Sequence, residues 1–242
     1  MNQPSTETVT VEAAAPSTAF NRIPNWTEYA GVAAFFALCI ALSTKVVEAI
    51  RLGSWVWVVM AAAAGFVAAD FLSGLVHWLF DTWGTPATPV VGKTFIVPFR
   101  VHHSDPLDIT RHGFIATNGH NCLASVPVLF GALFLDMHAG WGAGLLSFLM
   151  AISLGTFGTN QFHKWAHQKD VGPVVAFLQR HHLVLNPQHH DRHHTRPYDQ
   201  HYCITTGWLN PVLRAVRFFR VVEWGITKVT GVEPRKDDLT TA

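Results

Sequence analysis

The sequence predicts an all-α integral membrane protein, with about four transmembrane helices and a histidine-rich helical cap on the cytoplasmic side. Two features of the composition predict this fold class: 49% of the 242 residues are hydrophobic, whereas only 14% are charged. A soluble protein would carry charge on about a quarter of its residues. The mean hydropathy is positive, at +0.22. Together these values indicate that lipid surrounds much of the fold.

Four apolar segments are candidates for the transmembrane helices. A helix needs about 20 apolar residues to cross a bilayer. The first segment carries Lys45 and Glu48 near its end, the second is uninterrupted until Asp70, and the third is short for a full crossing. In chain order, the four segments are residues 29–49, 54–80, 122–135 and 141–162.

The distribution of basic residues predicts how these helices are oriented. Lys45, near the end of the first segment, and Arg51 are the only basic residues where the first two segments join, and no lysine or arginine lies between the last two. The other 15 of the 17 basic residues fall on the opposite side of the membrane. Because basic loops stay on the cytoplasmic side, both termini and the 81–121 loop are predicted to be cytoplasmic. A net charge of +1 gives no support for a nucleic-acid partner.

The chain is expected to consist of one domain and two tails. Residues 1–24 are small and polar, which indicates a disordered tail rather than a cleaved signal peptide. We expect one membrane domain over residues 25–230 and a disordered C-terminal tail at 231–242.

Three arginines near the end of the domain, at positions 214, 217 and 220, recur every three residues and share one helical face. Apolar side chains occupy the rest of this segment. The pattern suits a helix lying in the membrane interface against anionic headgroups. An ordinary amphipathic helix packed on the domain is the alternative.

Histidine is the residue type that sets this sequence apart. The chain has 15 histidines, and on the predicted topology His138 alone falls on the far side of the membrane. The three cysteines are widely spaced and form no CxxC pair, so cysteine-based zinc or iron–sulfur chemistry is not expected. Histidine would therefore have to carry any metal.

The spacing of the histidines is that of metal ligands. The chain contains an HxxxH motif on a predicted helix, an HxxHH motif, a histidine pair in the 81–121 loop and a histidine at the end of a span. Residues four apart on a helix can hold one metal ion between them, and eight or nine histidines suffice for two ions. Imidazole suits zinc, copper, iron and nickel, so these residues leave the metal open. The histidines in these motifs are His77, His102, His103, His163, His167, His190, His193 and His194.

Asp70 also stands out, because it interrupts the second apolar segment. Asp70 and His77 lie seven residues apart, so they share a helical face, about 10 Å apart along the axis. A carboxylate at that depth is costly and usually functional. We expect Asp70 to support catalysis by accepting a hydrogen bond from a metal-bound imidazole. A structural cap or a polar contact between helices is the alternative, and Asn160 is a further candidate near the metal face.

Five segments between about residues 65 and 236 carry a specific resemblance. They are ADFLSGLVHW, VGKTFIVPFRVHHSDPLDITRHGFIATNG, GTFGTNQFHKWAHQ, the HHxxHH run at 189–194 and YCITTGWLN. They resemble the plasmanylethanolamine desaturase family, the Kua or CarF type of lipid desaturase. The resemblance implies a four-span enzyme with a cytoplasmic di-iron site, O2 as co-substrate and an electron donor such as cytochrome b5 or a ferredoxin. It implies conversion of the 1-O-alkyl chain of an ether phospholipid, plasmanylethanolamine, to the vinyl ether of a plasmalogen.

The resemblance also implies a set of iron ligands. More histidines match the family than two iron ions need, so we assign His112 and His189 to supporting roles. His120, His181 and His201 depart from the family pattern and are treated as non-ligands. The predicted metal ligands are His77, His102, His103, His163, His167, His182, His190, His193 and His194.

Three alternatives remain open. A related acyl-lipid desaturase, such as the plant branch of the family, or a lipid hydroxylase would use the same di-iron site. A membrane haem protein would need few histidines, paired deep within the spans. A non-catalytic metal-binding membrane protein would hold zinc without turnover. A bacterial inner membrane and the endoplasmic reticulum both fit the predicted localisation.

Overall fold

The computed structural model describes residues 23–139 and 141–235, and all regular secondary structure in these ranges is helical. The all-α prediction is therefore confirmed for the described residues. A π-helical turn at Gly92–Ile96 leads into the third helix. In chain order the helices are α1 (Trp26–Arg51), α2 (Trp55–Thr82), α3 (Val97–Ser104), α4 (Asp108–Arg111), α5 (Phe114–Ala132), α6 (Gly142–His167), α7 (Pro173–Arg180), α8 (Pro187–His190), α9 (Asn210–Ala215) and α10 (Phe218–Thr230).

Three of these helices, α1, α2 and α6, are long and apolar enough to cross a membrane. Their most apolar 18-residue windows have mean hydropathies of 2.0, 1.9 and 1.5. This is the pattern of a membrane protein. The predicted third span, 122–135, begins within α5 and runs three residues past its end. This helix has 19 residues, contains Pro127 and is not one of the three. A total of four spans stays a prediction.

Glycines allow α2 and α6 to approach each other closely. A Cβ atom on Gly65 would overlap the carbonyl oxygen of Phe148, and one on Gly155 would lie 2.5 Å from the Cβ of Ala69. Helices in membranes use such small residues to bring their backbones together. The close packing places the histidine-bearing ends of α2 and α6 side by side.

Lys45, which interrupts the first apolar segment, caps a neighbouring helix. Its Nζ donates to the carbonyl oxygens of Leu133 and Leu135, at 2.6 and 2.7 Å, just beyond the end of α5. The last carbonyls of a helix lack partners within the helix. The lysine satisfies two carbonyls at this end, which ties α1 to α5. Phe35, Leu42 and other fully buried side chains fill the core between α1, α5 and α6.

Asp70 holds the segment that precedes α9 against the middle of α2. Its Oδ1 accepts the N–H groups of Thr206 and Gly207, both at 2.8 Å, and its Oδ2 accepts the N–H of Leu209 at 3.1 Å. In the described part of the chain, the groups that donate to the Asp70 carboxylate are therefore backbone amides and not an imidazole. The geometry therefore matches the structural alternative for Asp70 and not the expected hydrogen bond from a metal-bound histidine.

The predicted tails lie mostly outside the described residues, which omit 1–22 and 236–242. Residues 231–235 of the expected C-terminal tail are described. There the backbone N–H of Arg235 donates to the carbonyl oxygen of Thr82 at 3.0 Å. The first part of this segment thus packs against the end of α2.

Candidate metal centre

Nine side chains converge in two groups where the ends of α2, α3 and α6 meet α8 and the turn that follows it. Within each group the ligand atoms lie within 4.8 Å of one another. The five-histidine group is His102, His163, His167, His190 and His194, and the aspartate group is His77, Asp81, His103 and His193.

The five-histidine group brings ring nitrogens to coordination spacing. The Nε2 atom of His167 lies 3.3 Å from that of His163 and 2.9 Å from that of His190. The Nε2 atoms of His190 and His194 are 3.0 Å apart. Nitrogens bound at about 2.1 Å from a metal ion lie about 3.0 to 3.4 Å from their neighbours in octahedral or tetrahedral geometry. The observed separations are close to these values, so the group can hold a metal ion.

The aspartate group is centred on a buried carboxylate. The Oδ2 of Asp81 lies 3.4 Å from the Nε2 of His77 and 3.5 Å from the Nε2 atoms of His103 and His193. Asp81 is only 5% exposed, and neither of its oxygens has a hydrogen-bond partner among the described residues. A buried carboxylate without a partner is costly. A cation among these four side chains would remove that cost, so the donor set fits a metal.

Contacts beyond the groups orient two of the rings. The Nδ1 of His193 donates to the carbonyl oxygen of Gln200 at 2.9 Å. With the proton on Nδ1, the Nε2 of the same ring presents a lone pair to the aspartate group. The ring of His103 stacks on Tyr198, with 4.7 Å between centroids and 8° between planes. Contacts with the protein therefore orient both rings.

Burial keeps His103, His193 and His194 of the two groups neutral. Burial lowers the pKa of His103 to about 2 and that of His193 to about 3, with neighbouring histidines adding to the effect. Burial lowers the pKa of His194 to about 4. A neutral imidazole keeps the lone pair that a metal ion requires. The site therefore favours a metal ion over protons at neutral pH.

The two groups lie side by side. His193 and His194 are consecutive residues but belong to different groups, and their ring centroids are 5.5 Å apart. The rings of His103 and His194, also from different groups, have the same separation. The histidine pair on α3 is divided in the same way. This arrangement can accommodate two metal ions close together.

Eight of the nine predicted metal ligands lie in the two groups, and His182 does not. The His182 side chain is exposed, its backbone has φ +55°, and its carbonyl oxygen accepts the Nε1–H of Trp208 at 2.6 Å. The ninth member of the two groups is Asp81, which was not among the ligands predicted from the sequence. The signal for it was present, because His77 and Asp81 have the same four-residue spacing as the HxxxH motif.

The supporting candidates lie outside both groups. His112 has its Nε2 3.4 Å from the Oδ2 of Asp108. His189 contacts His201, with 3.0 Å between ring nitrogens. Asn160 donates to a backbone carbonyl on α5 at 2.9 Å. The structure thus gives these three residues contacts with the surrounding fold.

Most of the chain is similar to known proteins. Residues 66–237 match the family model described as the lipid desaturase domain. The chain is 47% identical over 212 residues to plasmanylethanolamine desaturase from Myxococcus xanthus, covering 88% of this chain and 75% of that protein. It is 42% identical over 217 residues to plasmanylethanolamine desaturase 1 from Mus musculus, covering 84% and 78%.

A plant relative is more distant. The chain is 36% identical over 178 residues to fatty acid desaturase 4, chloroplastic, from Arabidopsis thaliana, covering 73% of this chain and 54% of that protein. No solved structure matches the chain significantly. The chain therefore belongs to the lipid desaturase domain family: it is a lipid desaturase, and so an oxidoreductase.

Proposed function

We propose that the chain is an O2-dependent di-iron desaturase that converts the 1-O-alkyl chain of plasmanylethanolamine to the vinyl ether of a plasmalogen. The observation that carries this proposal is the pair of adjacent ligand groups at the ends of α2 and α6. The identity of 47% to a protein named plasmanylethanolamine desaturase supports the choice of substrate.

In this proposal the five-histidine group holds one iron ion and the aspartate group holds the other. Among the metals that imidazole binds, zinc has no redox chemistry. A desaturase must remove two electrons from its substrate, so a redox-active metal is required. When bound, the two iron ions supply O2 activation and the removal of hydrogen from an unactivated C–H bond. Asp81 contributes the only negative charge in the nine-residue set, which offsets the charge of the ions.

The overall reaction balances with one external donor. One hydrogen leaves each of C1 and C2 of the alkyl chain, and a double bond forms between these carbons. O2 is reduced to two water molecules, with two electrons and two protons supplied in addition to the two substrate hydrogens. We assign the electrons to a small redox protein such as cytochrome b5 or a ferredoxin.

Burial of the ligands keeps water from the reacting carbons. His77 and His193 are 0% exposed and His190 is 1% exposed. A dry site strengthens electrostatic interactions and suppresses side reactions. Two aromatic rings line the protein beside His77. The ring of Phe99 lies edge-on to that of His77, with 5.1 Å between centroids, and the ring centroids of Phe80 and Phe99 are 5.4 Å apart. We propose that the alkyl chain lies against the rings of Phe80 and Phe99.

We place the site on the cytoplasmic face of a four-span protein. The basic residues concentrate in the segments that carry the histidines, and such segments remain cytoplasmic. A soluble electron donor reaches the metal centre directly from that side. The membrane is a bacterial inner membrane or, in a eukaryote, the endoplasmic reticulum.

Product analysis tests the activity. The chain is expressed in a plasmalogen-free host fed an alkylglycerol, and lipids are measured by mass spectrometry for acid-labile vinyl ethers. We expect vinyl ethers with the wild-type chain and with His138→Ala, an exposed histidine outside both groups. We expect none with His163→Ala. Trans double bonds in acyl chains without vinyl ethers would instead identify an acyl-lipid desaturase.

Metal and optical measurements test the cofactor. We expect about two iron ions per chain in active protein and no Soret band. A Soret band would identify a haem protein. Zinc alone in active, carefully prepared protein would overturn the di-iron proposal.

A further inference from the structure

Beside the metal groups, the C-terminal cap contains a cleft with a basic lining. The cleft has a volume of about 310 Å³ and is lined by Arg192, His201, Pro211, Arg214 and Ala215. A second cleft of about 230 Å³ shares His201 and Arg214 with it. We call the first of these the His201 cleft.

The positive charge of the His201 cleft is not balanced by acidic side chains. Arg192 and Arg214 form no ion pair with any residue that the structure describes. Arg220 is different, because it pairs with Asp199 and with Glu223. The cleft therefore presents two free guanidinium groups, which favour an anionic ligand.

His201 adds an unpartnered polar atom to the lining. Its side chain is almost fully buried, at 4% exposure, and its Nε2 has no hydrogen-bond partner. The Nδ1 atom on the other side of the ring lies 3.0 Å from the Nε2 of His189. Burial, His189 and the two guanidinium groups lower the pKa of His201 to about 4. No anion among the described residues offsets this effect.

We propose that the His201 cleft binds a phosphate group, and that this group belongs to a membrane phospholipid. Guanidinium groups bind phosphate oxygens through paired hydrogen bonds, which suits Arg192 and Arg214. The Nε2 of His201 donates to a phosphate oxygen once the ring takes a second proton.

Apolar side chains beside the cleft favour a lipid over a soluble phosphate. The side chain of Val212 on α9 is 57% exposed, and that of Val216, the first residue after α9, is 60% exposed. They flank Arg214, which lines the cleft. Exposed apolar residues next to arginine are typical of segments that lie in the membrane interface, with the charged group at the headgroups.

The position of the cleft suits the lipid that is oxidised. Gln200 lines the adjoining cleft, and its carbonyl oxygen accepts the ring Nδ1–H of His193, which belongs to the aspartate group. In an ether phospholipid only the glycerol unit separates the phosphate from the first carbons of the alkyl chain. A phosphate site this close to the metal centre would hold those carbons near it. This extension to the substrate rests on the proposed function, whereas phosphate binding does not.

Isothermal titration calorimetry on the purified protein in detergent micelles tests the site without turnover. The titrants are glycerophosphoethanolamine, which is the headgroup without its chains, and inorganic phosphate. We expect the headgroup to bind more tightly than inorganic phosphate, and at least about tenfold more weakly to Arg214→Gln and His201→Asn. Arg214→Lys should restore part of the affinity. Lys228→Gln removes an exposed positive charge outside the cleft and should bind as wild type.

Metal content is measured for each variant, so that only variants that retain the wild-type metal content enter the comparison. Equal headgroup affinity in wild type and Arg214→Gln would overturn the proposal. Tighter binding of inorganic phosphate would overturn the lipid assignment. If Arg214→Gln bound the headgroup as wild type does but bound an acidic electron donor more weakly, the cleft would be a protein-docking site and the lipid assignment would be overturned. Arg214-dependent binding in a protein that forms no vinyl ether would leave the site standing and refute the proposed function.

Discussion

Asp81 lies one helical turn beyond His77 on α2, with its Oδ2 3.4 Å from the Nε2 of His77. The same carboxylate is buried, and within the described part of the chain it has no hydrogen-bond donor. This pair links the membrane-spanning part of α2 to the metal centre.

Replacement of Asp81 by Asn should remove the ion from the aspartate group. The change keeps the size of the side chain but removes the charge that holds a cation among His77, His103 and His193. We expect about one metal ion per chain instead of two, measured by mass spectrometry of the metals, and loss of vinyl-ether formation by at least about 100-fold. Two ions per chain with wild-type activity would show that Asp81 is not a ligand.

Replacement of Asp70 by Asn should weaken the fold and leave the metal content unchanged. The Asp70 carboxylate accepts three backbone N–H groups, and hydrogen bonds to a charged group contribute about 1.5 to 3 kcal/mol each. We expect a loss of about 2 to 4 kcal/mol, seen as a lower midpoint of thermal unfolding in micelles. Loss of metal at an unchanged midpoint would restore the direct role that the sequence predicted for Asp70.

His190 and His182 form a matched test of the ligand set. His190 is 1% exposed and belongs to the five-histidine group, whereas His182 is exposed and belongs to neither group. We expect His190→Ala to lose about one of two metal ions and its activity, and His182→Ala to keep both ions and most activity. Equal metal loss in the two variants would contradict the grouping.

The metal-free protein should lose stability as the pH falls. Buried His193 and His194 have pKa values lowered to about 3 and about 4, whereas in the unfolded chain they titrate near 6.5. Protons therefore bind the unfolded state first, and stability declines from about pH 6.5 toward pH 4. We expect a lower unfolding midpoint at pH 5 than at pH 7.5 after chelation. Equal midpoints would argue that these rings are not buried and neutral.

Local spacing predicted part of the metal centre. His163 and His167 lie four residues apart on a helix, and this alone brings their rings together, as the structure has them. The division of His193 and His194 between two groups does not follow from local spacing, because these residues lie in a turn after α8 rather than on a regular helix. Their directions depend on the tertiary fold.

The helices themselves were largely predictable from hydropathy, since the first predicted segment, 29–49, lies within α1 at Trp26–Arg51. The partners of Asp70 were not. They lie 136 to 139 residues further along the chain, and the segment that carries them has no regular pattern that places it against α2. A buried carboxylate near a histidine favoured a catalytic interpretation, although backbone amides meet the same electrostatic need.

The iron content of active protein, measured alongside Mössbauer spectra of chains loaded with ⁵⁷Fe, tests the central claim most directly. Two adjacent groups of histidines, one containing Asp81, predict about two iron ions per chain in two different environments, with activity proportional to the doubly loaded fraction. One iron ion per chain in fully active protein, or full activity with zinc alone, would contradict the account.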